Sequence, residues 1–139
     1  MKRVILIALI ILLVWVAVSH AEGGVYLNGN PNYPQVVDYQ NKASYLDLNS
    51  AIIKDQEKMP DGSVMKLVNC NLVLVNKDNT IEYYLYSCKF CVNKDGSIDI
   101  FNYYPNGYGY NNNQNDVSYK AGNILRSYLY NDLIEGVVK

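Results

Sequence analysis

Two turn sequences, 17 residues apart, constrain the fold of this chain more than any other feature. Asn76–Thr80 and Asn93–Ser97 each interrupt a run of β-branched, leucine and aromatic residues. Asn79 and Gly96 occupy matching places in the two turns, and both residue types tolerate a positive φ. That conformation is needed after a type I turn in a three-residue hairpin loop. The repeat therefore predicts two consecutive β-hairpins.

The residues around these turns predict three strands of an antiparallel meander, Val64–Asn76, Thr80–Asn93 and Ser97–Tyr104. Side chains alternate between the two faces of a strand, so one face collects the more apolar set. We expect that face to point into the core and the opposite, mixed face to be partly covered. The predicted core face carries Val64, Val68, Cys70, Leu72, Leu74, Tyr84, Tyr86, Cys88 and Phe90.

The hydrophobic period changes near the C-terminus. Apolar residues recur there at helical spacing, which predicts an amphipathic helix within Lys120–Ile134 that lies across the sheet. The fold class predicted for the whole domain is α+β, mainly an antiparallel sheet with one C-terminal helix packed on it. The residues of the apolar stripe are Ile124, Leu125, Tyr128, Leu129 and Leu133.

The segment 103–115 is built almost entirely from tyrosine, asparagine and glycine. Such a composition buries little apolar surface, so it predicts a flexible loop. Exposed tyrosine offers a large, rigid contact area with a polar tip, which makes Tyr103, Tyr104, Tyr108 and Tyr110 a candidate contact surface. The alternative is a solvated loop without a binding role.

The first 21 residues have the pattern of a secretory signal. Lys2-Arg3 precede Val4–Val18, an unbroken apolar run of 15 residues. That run is shorter than the roughly 20 residues that span a bilayer core. Small residues at Ser19 and Ala21 match a cleavage site. The segment therefore predicts export to the periplasm, the cell surface or the medium; the alternative is an uncleaved N-terminal anchor.

Residues 22–139 are then expected to form one exported domain. They contain 118 residues, no histidine, and a formal net charge of about −3. These properties exclude imidazole catalysis, a histidine-ligated metal and a basic nucleic-acid footprint. We expect no cofactor, no metal, no enzymatic activity and no membrane span after cleavage. The expected partner is a protein or glycan of the envelope or of a host surface.

Three cysteines in an exported domain suggest one disulfide and one leftover thiol. The predicted register places Cys70 opposite Tyr86 and diagonal to Cys88 on the same face. Diagonal neighbours lie about 7–8 Å apart, slightly beyond the usual span of a disulfide. The favoured bridge, Cys70–Cys88 with Cys91 free, therefore needs a bulge or a two-residue register shift; a Cys70–Cys91 bridge and three free thiols are the alternatives. Cys88 and Cys91 also match the spelling C-x-x-C. Redox chemistry would place the first cysteine at a helix N-terminus, whereas this pair lies within a predicted strand.

The segment around Tyr45, Asp47 and Ser50 resembles a pattern of small exported bacterial domains, the surface-adhesin protein E group. In that pattern a Tyr-x-Asp-x-x-Ser-aliphatic segment precedes long hairpin strands with a late cysteine, matched here by Cys88 or Cys91, and a short C-terminal helix. The residues also have a structural explanation. Strand alternation places Tyr45 and Asp47 on one face, and Ser50 can cap the turn that follows.

The resemblance implies an exported envelope or surface protein that acts by binding, with adhesion as one form of it. The alternatives are a small periplasmic thiol or redox protein that uses Cys88 and Cys91, and an inhibitor-type partner whose sheet edge pairs with its target.

Cleavage of the leader can be tested on the exported protein. We expect the intact mass of material recovered from the producing bacterium to match a chain that begins at Glu22. Substitution of Ala21 by a bulky residue should leave the precursor uncleaved. Recovery of the full 139-residue mass from the wild-type chain would contradict the assignment and favour an anchor.

Overall fold

The computed structural model of the protein describes residues 26–39, 42–104, 106–110 and 116–138. The predicted signal segment and residues 111–115 of the predicted loop lie outside this range. The strands are β1 Gln35–Tyr39, β2 Lys42–Lys58, β3 Val64–Asn76, β4 Ile81–Val92, β5 Ile98–Tyr104 and β6 Gly107–Tyr110. Two helices follow, α1 Val117–Tyr128 and α2 Tyr130–Ile134, and a short 3-10 turn, Leu27–Gly29, precedes β1.

The strands form one curled antiparallel sheet in chain order, β1 to β6, and the helices pack on it. The predicted α+β class is therefore confirmed. Among the described residues, no helix is both long and apolar enough to cross a membrane.

Both predicted hairpin turns are present with the predicted register. The amide of Asn76 donates to the carbonyl of Thr80 at 2.9 Å, and that of Asn93 donates to Ser97 at 2.9 Å. Asn79 has a φ of 64° and Gly96 one of 85°, so both occupy the left-handed position. Each loop contains an aspartate, Asp78 or Asp95, whose carboxylate accepts a hydrogen bond from the backbone amide two residues later. This hydrogen bond stabilises the turn.

Other elements differ from the sequence predictions. The prediction of a flexible loop over 103–115 is wrong for Gly107–Tyr110, which form β6, whereas residues 103–104 end β5, as the predicted strand Ser97–Tyr104 has it. The strand implied by the alternation of Tyr45 and Asp47 is part of β2, which passes through a bulge after Asp47 and continues to Lys58.

Three contacts trace the path of the helices across the sheet. At the start of α1 the carbonyl of Ser118 accepts from the hydroxyl of Tyr86. Further along, the guanidinium of Arg126 donates to the carbonyl of Ile98. At the end of α2 the ammonium of Lys66 donates to the carbonyl of Asp132 at 3.0 Å. The helices therefore cover β5 and the adjoining halves of β3 and β4, pack against buried side chains of β1 and β2, and leave the far end of the β3–β4 hairpin uncovered.

The path of the helices determines which residues of the predicted core face are buried. Val68, Cys70, Cys88 and Phe90 are buried as predicted, whereas Tyr84 is 52% exposed because it lies beyond the start of α1. The helices contribute four fully or nearly fully buried side chains to the same core, Ala121, Leu125, Leu129 and Leu133.

Gly122 sets the distance between α1 and the sheet. A Cβ at this position would lie 2.8 Å from Cγ2 of Ile100 and 3.4 Å from the hydroxyl oxygen of Tyr86. Alanine is favoured over glycine within a helix by up to about 1 kcal/mol. Here overpacking against a branched side chain on a strand opposes that gain and exceeds it.

We predict that Gly122→Ala lowers the free energy of unfolding by about 1–2 kcal/mol, because α1 must move away from β5. The exposed Ser127→Ala, on the same helix, should change it by less than about 0.5 kcal/mol. Urea denaturation of both variants measures the difference. A stabilised Gly122→Ala variant would show that the helix is not held this close.

Candidate functional site: an exposed aromatic sheet face

The face of the sheet turned away from the helices carries a group of aromatic and apolar side chains in two parts, one on β4 and one on β5 and β6, which border the same cleft. Lys89 pairs with Phe101, Phe101 with Tyr110, and Tyr103 with Tyr108, so these side chains share one face. Their chain neighbours Cys88 and Asn102 point into the core. We call this surface the aromatic face; it consists of Tyr83, Leu85, Lys89, Phe101, Tyr103, Tyr108 and Tyr110.

Several members of the aromatic face are largely exposed. Tyr83 and Leu85 are each 67% exposed, Tyr103 is 60% exposed and Tyr110 is 62% exposed. Single exposed apolar residues are normal on a protein surface, but a group of this kind is typical of an interaction site.

The rings of the aromatic face contact one another in defined geometries. Phe101 and Tyr110 meet edge to face, with centroids 5.9 Å apart, and Tyr103 and Tyr108 do so at 5.6 Å. The ammonium of Lys89 lies 4.8 Å from the centroid of Tyr108, within the range of a cation–π interaction. These cross-strand pairs restrict the rings, so little side-chain entropy remains to be lost when a partner binds.

The structure brings together three of the four tyrosines that the sequence singled out, on β5 and β6. Tyr104 pairs with Gly107 and lies on the other face of the hairpin, where its ring approaches the Cα side of Gly109. Sequence reasoning placed Tyr83 and Leu85 on the mixed face but did not assign them to a site. The sequence feature that places Tyr83 and Leu85 on this face is the alternation of side chains along β4, counted from the Asn76–Thr80 turn.

A cleft of about 410 Å³ opens at one border of the aromatic face, where pairing between β4 and β5 ends at Cys88 and Asn102. It is lined by Leu85, Tyr86, Ser87, Tyr103, Tyr108 and Ser118. The cleft separates the free end of β4 from the β5–β6 hairpin.

The hydroxyl of Tyr86 joins three elements beside this cleft. It lies 2.8 Å from Oδ1 of Asn102 on β5 and 2.8 Å from the carbonyl of Ser118 on α1. A hydroxyl has one hydrogen, so it donates to one of these oxygens at a time. Burial raises the pKa of Tyr86 far above its ordinary value, which keeps the hydroxyl protonated. Nδ2 of the fully buried Asn102 has no partner within the described part of the chain.

The residues Tyr45, Asp47 and Ser50 organise the bulge in β2. The hydroxyl of Ser50 donates to the carbonyl of Asp47 at 2.7 Å and accepts from the amide of Asn71 at 2.7 Å. The hydroxyl of Ser50 thereby bridges the gap that the bulge leaves in the hydrogen bonding between β2 and β3. Tyr45 is only 4% exposed and pairs with Val73. Tyr45 and Asp47 share one face, as alternation predicted, whereas Ser50 bridges a bulge within β2 and does not cap a turn after it.

The three cysteines are thiols in the structure. Cys70 lies opposite Tyr86 and Cys88 opposite Val68, so the two thiols are diagonal neighbours on the core face, as the register predicted. Their disulfide stays a prediction. Cys91 pairs with Met65 and Asp99 and points to the other face, so the C-x-x-C residues face in opposite directions.

Burial controls the acidity of the two core thiols. It raises the pKa of Cys70 to about 11 and that of Cys88 to about 12. A thiol attacks as its thiolate, so both groups are poor nucleophiles at neutral pH. This environment does not favour thiol chemistry by the reduced domain.

A larger groove of about 840 Å³ lies between the second half of β2 and α2. Its buried charged residue is Lys66, which is 3% exposed and donates to the carbonyls of Asp132 and Glu135. Burial lowers the pKa of Lys66. Strand alternation places Lys66 on the core face, between Val64 and Val68, but does not predict that its ammonium is buried. Through these two hydrogen bonds Lys66 holds the end of α2 against the sheet.

No protein-family model, curated protein or solved structure matches the chain significantly.

The raised thiol pKa values predict a loss of stability in alkali for the reduced protein. A group whose pKa is higher in the folded state stabilises the fold below its ordinary pKa, here 9.0. That contribution is lost as the pH rises from 9.0 to about 11 for Cys70, and to about 12 for Cys88. Each group contributes at most about 1.4 kcal/mol per pH unit.

Urea denaturation at a series of pH values measures this loss. We expect the fall in unfolding free energy above about pH 9 to be shallower in Cys88→Ala than in the wild type. The fall should be unchanged in Cys91→Ala, whose side chain lies on the other face. Equal slopes in wild type and Cys88→Ala would contradict the buried, protonated state of this thiol.

Proposed function

We propose that the protein is an exported bacterial envelope or cell-surface protein that binds another protein through the aromatic face, in the manner of an adhesin. The observation that carries the proposal is the ordered and exposed set of rings on β5 and β6, with Tyr83 and Leu85 beside them. The signal-like leader supports export.

The chemistry of the aromatic face suits a protein partner. Tyrosine is enriched at the buried centres of protein interfaces because its ring provides apolar area and its hydroxyl provides a hydrogen bond. The aromatic face combines tyrosines with the aliphatic Leu85 and one cation, Lys89. An aliphatic side chain adds contact area for an apolar pocket of a partner, so we favour a protein over a glycan.

The ring pairs also suit a specific surface better than a general adhesive one. Binding costs free energy for each side chain that becomes immobile, about 0.5–1.5 kcal/mol. Tyr103 and Tyr110 already rest against neighbours on the adjacent strand, so part of that cost is met in the free protein. A shape-matched partner then gains from a preorganised surface.

The direct test replaces two exposed tyrosines of the aromatic face. We expect the exported protein to be retained by envelope preparations of the producing bacterium, and the Tyr103→Ser, Tyr110→Ser double variant to be retained at least about tenfold more weakly. The matched control is Tyr128→Ser, Tyr130→Ser, which removes two exposed tyrosines from the helices and should bind like the wild type. Circular dichroism checks that both variants fold.

Protease treatment of the envelopes separates the two partner classes. Loss of binding after this treatment supports a protein partner, and survival of binding would contradict it. Equal retention of the two double variants would contradict the assignment of the aromatic face.

A further inference from the structure

The free edge of β4 carries a second inference, which does not depend on the proposed function. Pairing between β4 and β5 begins at Cys88, so residues 81–87 pair only with β3 among the described strands. This edge contains no proline, no lysine and no bulge, which are features with which proteins prevent strand edges from pairing, and Glu82 is its one charged residue.

The register defines which backbone groups are free. Asn76 and Thr80 form a hydrogen-bonded pair, and such pairs alternate along an antiparallel ladder. Glu82 and Tyr84 therefore direct their backbone groups towards β3. The N–H and C=O groups of Ile81, Tyr83 and Leu85 point away from β3, towards the open side.

We propose that this edge pairs with the same edge of a second copy of the chain, antiparallel, about a two-fold axis at Tyr83. Tyr83 then faces Tyr83 of the second copy, and Ile81 faces Leu85. All three outward-facing residues exchange backbone hydrogen bonds in this register. The sheet becomes continuous across the two copies.

The charge pattern selects this register. With the axis at Tyr83, each Glu82 lies opposite an uncharged Tyr84, so no two carboxylates are directly opposite, and the hydroxyl of Tyr84 continues to donate to Glu82 of its own chain at 2.5 Å. A shift of the axis to Glu82 would place two carboxylates directly opposite, which destabilises a strand pair. A shift to Tyr84 would place Ile81 opposite Ser87 and lose an apolar pair.

A two-fold axis perpendicular to the sheet keeps both aromatic faces on the same side. The dimer would therefore present two copies of Tyr103 and Tyr110 to one partner surface, and bivalent contact strengthens binding without new contacts. The two proposals are tested separately, because dimerisation depends on backbone groups of β4, whereas the binding test replaces only Tyr103 and Tyr110, on β5 and β6.

Sedimentation velocity of the exported protein over a wide concentration range tests the proposal. We expect the wild type to dimerise, and Tyr83→Lys and Tyr83→Glu each to associate at least about tenfold more weakly, because like charges would meet at the axis. An equimolar mixture of the two variants should recover dimerisation. Tyr110→Lys, on β6, serves as the matched control and should dimerise like the wild type.

Hydrogen exchange gives a readout that does not depend on a variant. The amides of Tyr83 and Leu85 should exchange fast in dilute solution and slowly in concentrated solution, whereas those of Glu82 and Tyr84 should be protected in both. A wild type that stays monomeric, or a mixture that fails to recover dimerisation, would overturn the proposal. Binding to envelopes through the aromatic face would be unaffected by that result.

Discussion

The structure depends on the packing of a single helical segment against one side of a broad sheet. The side chains that α1 and α2 bury lie over β5 and parts of β3 and β4, and they also pack against β1 and β2. An antiparallel sheet can leave its second face to solvent when that face is polar. Here the second face is rich in tyrosine, so the arrangement of the core leaves an apolar surface exposed as a direct consequence.

The contacts that hold the helices also define the limits of that surface. Tyr86 connects β4 to β5 and to the start of α1, while Lys66 fastens the end of α2. Gly122 allows α1 to approach β5 closely. Beyond Tyr86 no described helix covers β4, and its outer edge has no neighbour among the described strands. The aromatic face and the free edge thus meet at one end of the molecule.

The hairpins were predictable from sequence because local chemistry determines them. Asn79 and Gly96 fix the loop length, and loop length fixes the register of every pair that follows. The β5–β6 hairpin was missed because its residues resemble a disordered segment in composition. Cross-strand ring contacts such as Phe101–Tyr110 order it, and these become visible only when the strands are paired.

The same limit applies to the candidate site. Alternation alone places Tyr83 and Leu85 on the second face, but their exposure depends on where the helices end. Lys66 shows the converse case, since a lysine on the apolar face was not expected to be buried. Its ammonium finds two helix carbonyls that are 66 and 69 residues away in sequence. Periodicity in a sequence predicts local secondary structure well, but it does not predict contacts between residues this far apart in the chain.

Tyrosine-selective chemical modification of the purified protein measures the exposure of the aromatic face most directly. Mass spectrometry after brief modification should find Tyr83, Tyr103 and Tyr110 modified first, because more than half of each side chain is exposed. Tyr45 and Tyr86, which are inaccessible or hydrogen-bonded in the core, should react only after denaturation. Protection of Tyr103 and Tyr110 in the free, dilute protein would show that another part of the chain covers this face, and would contradict the account.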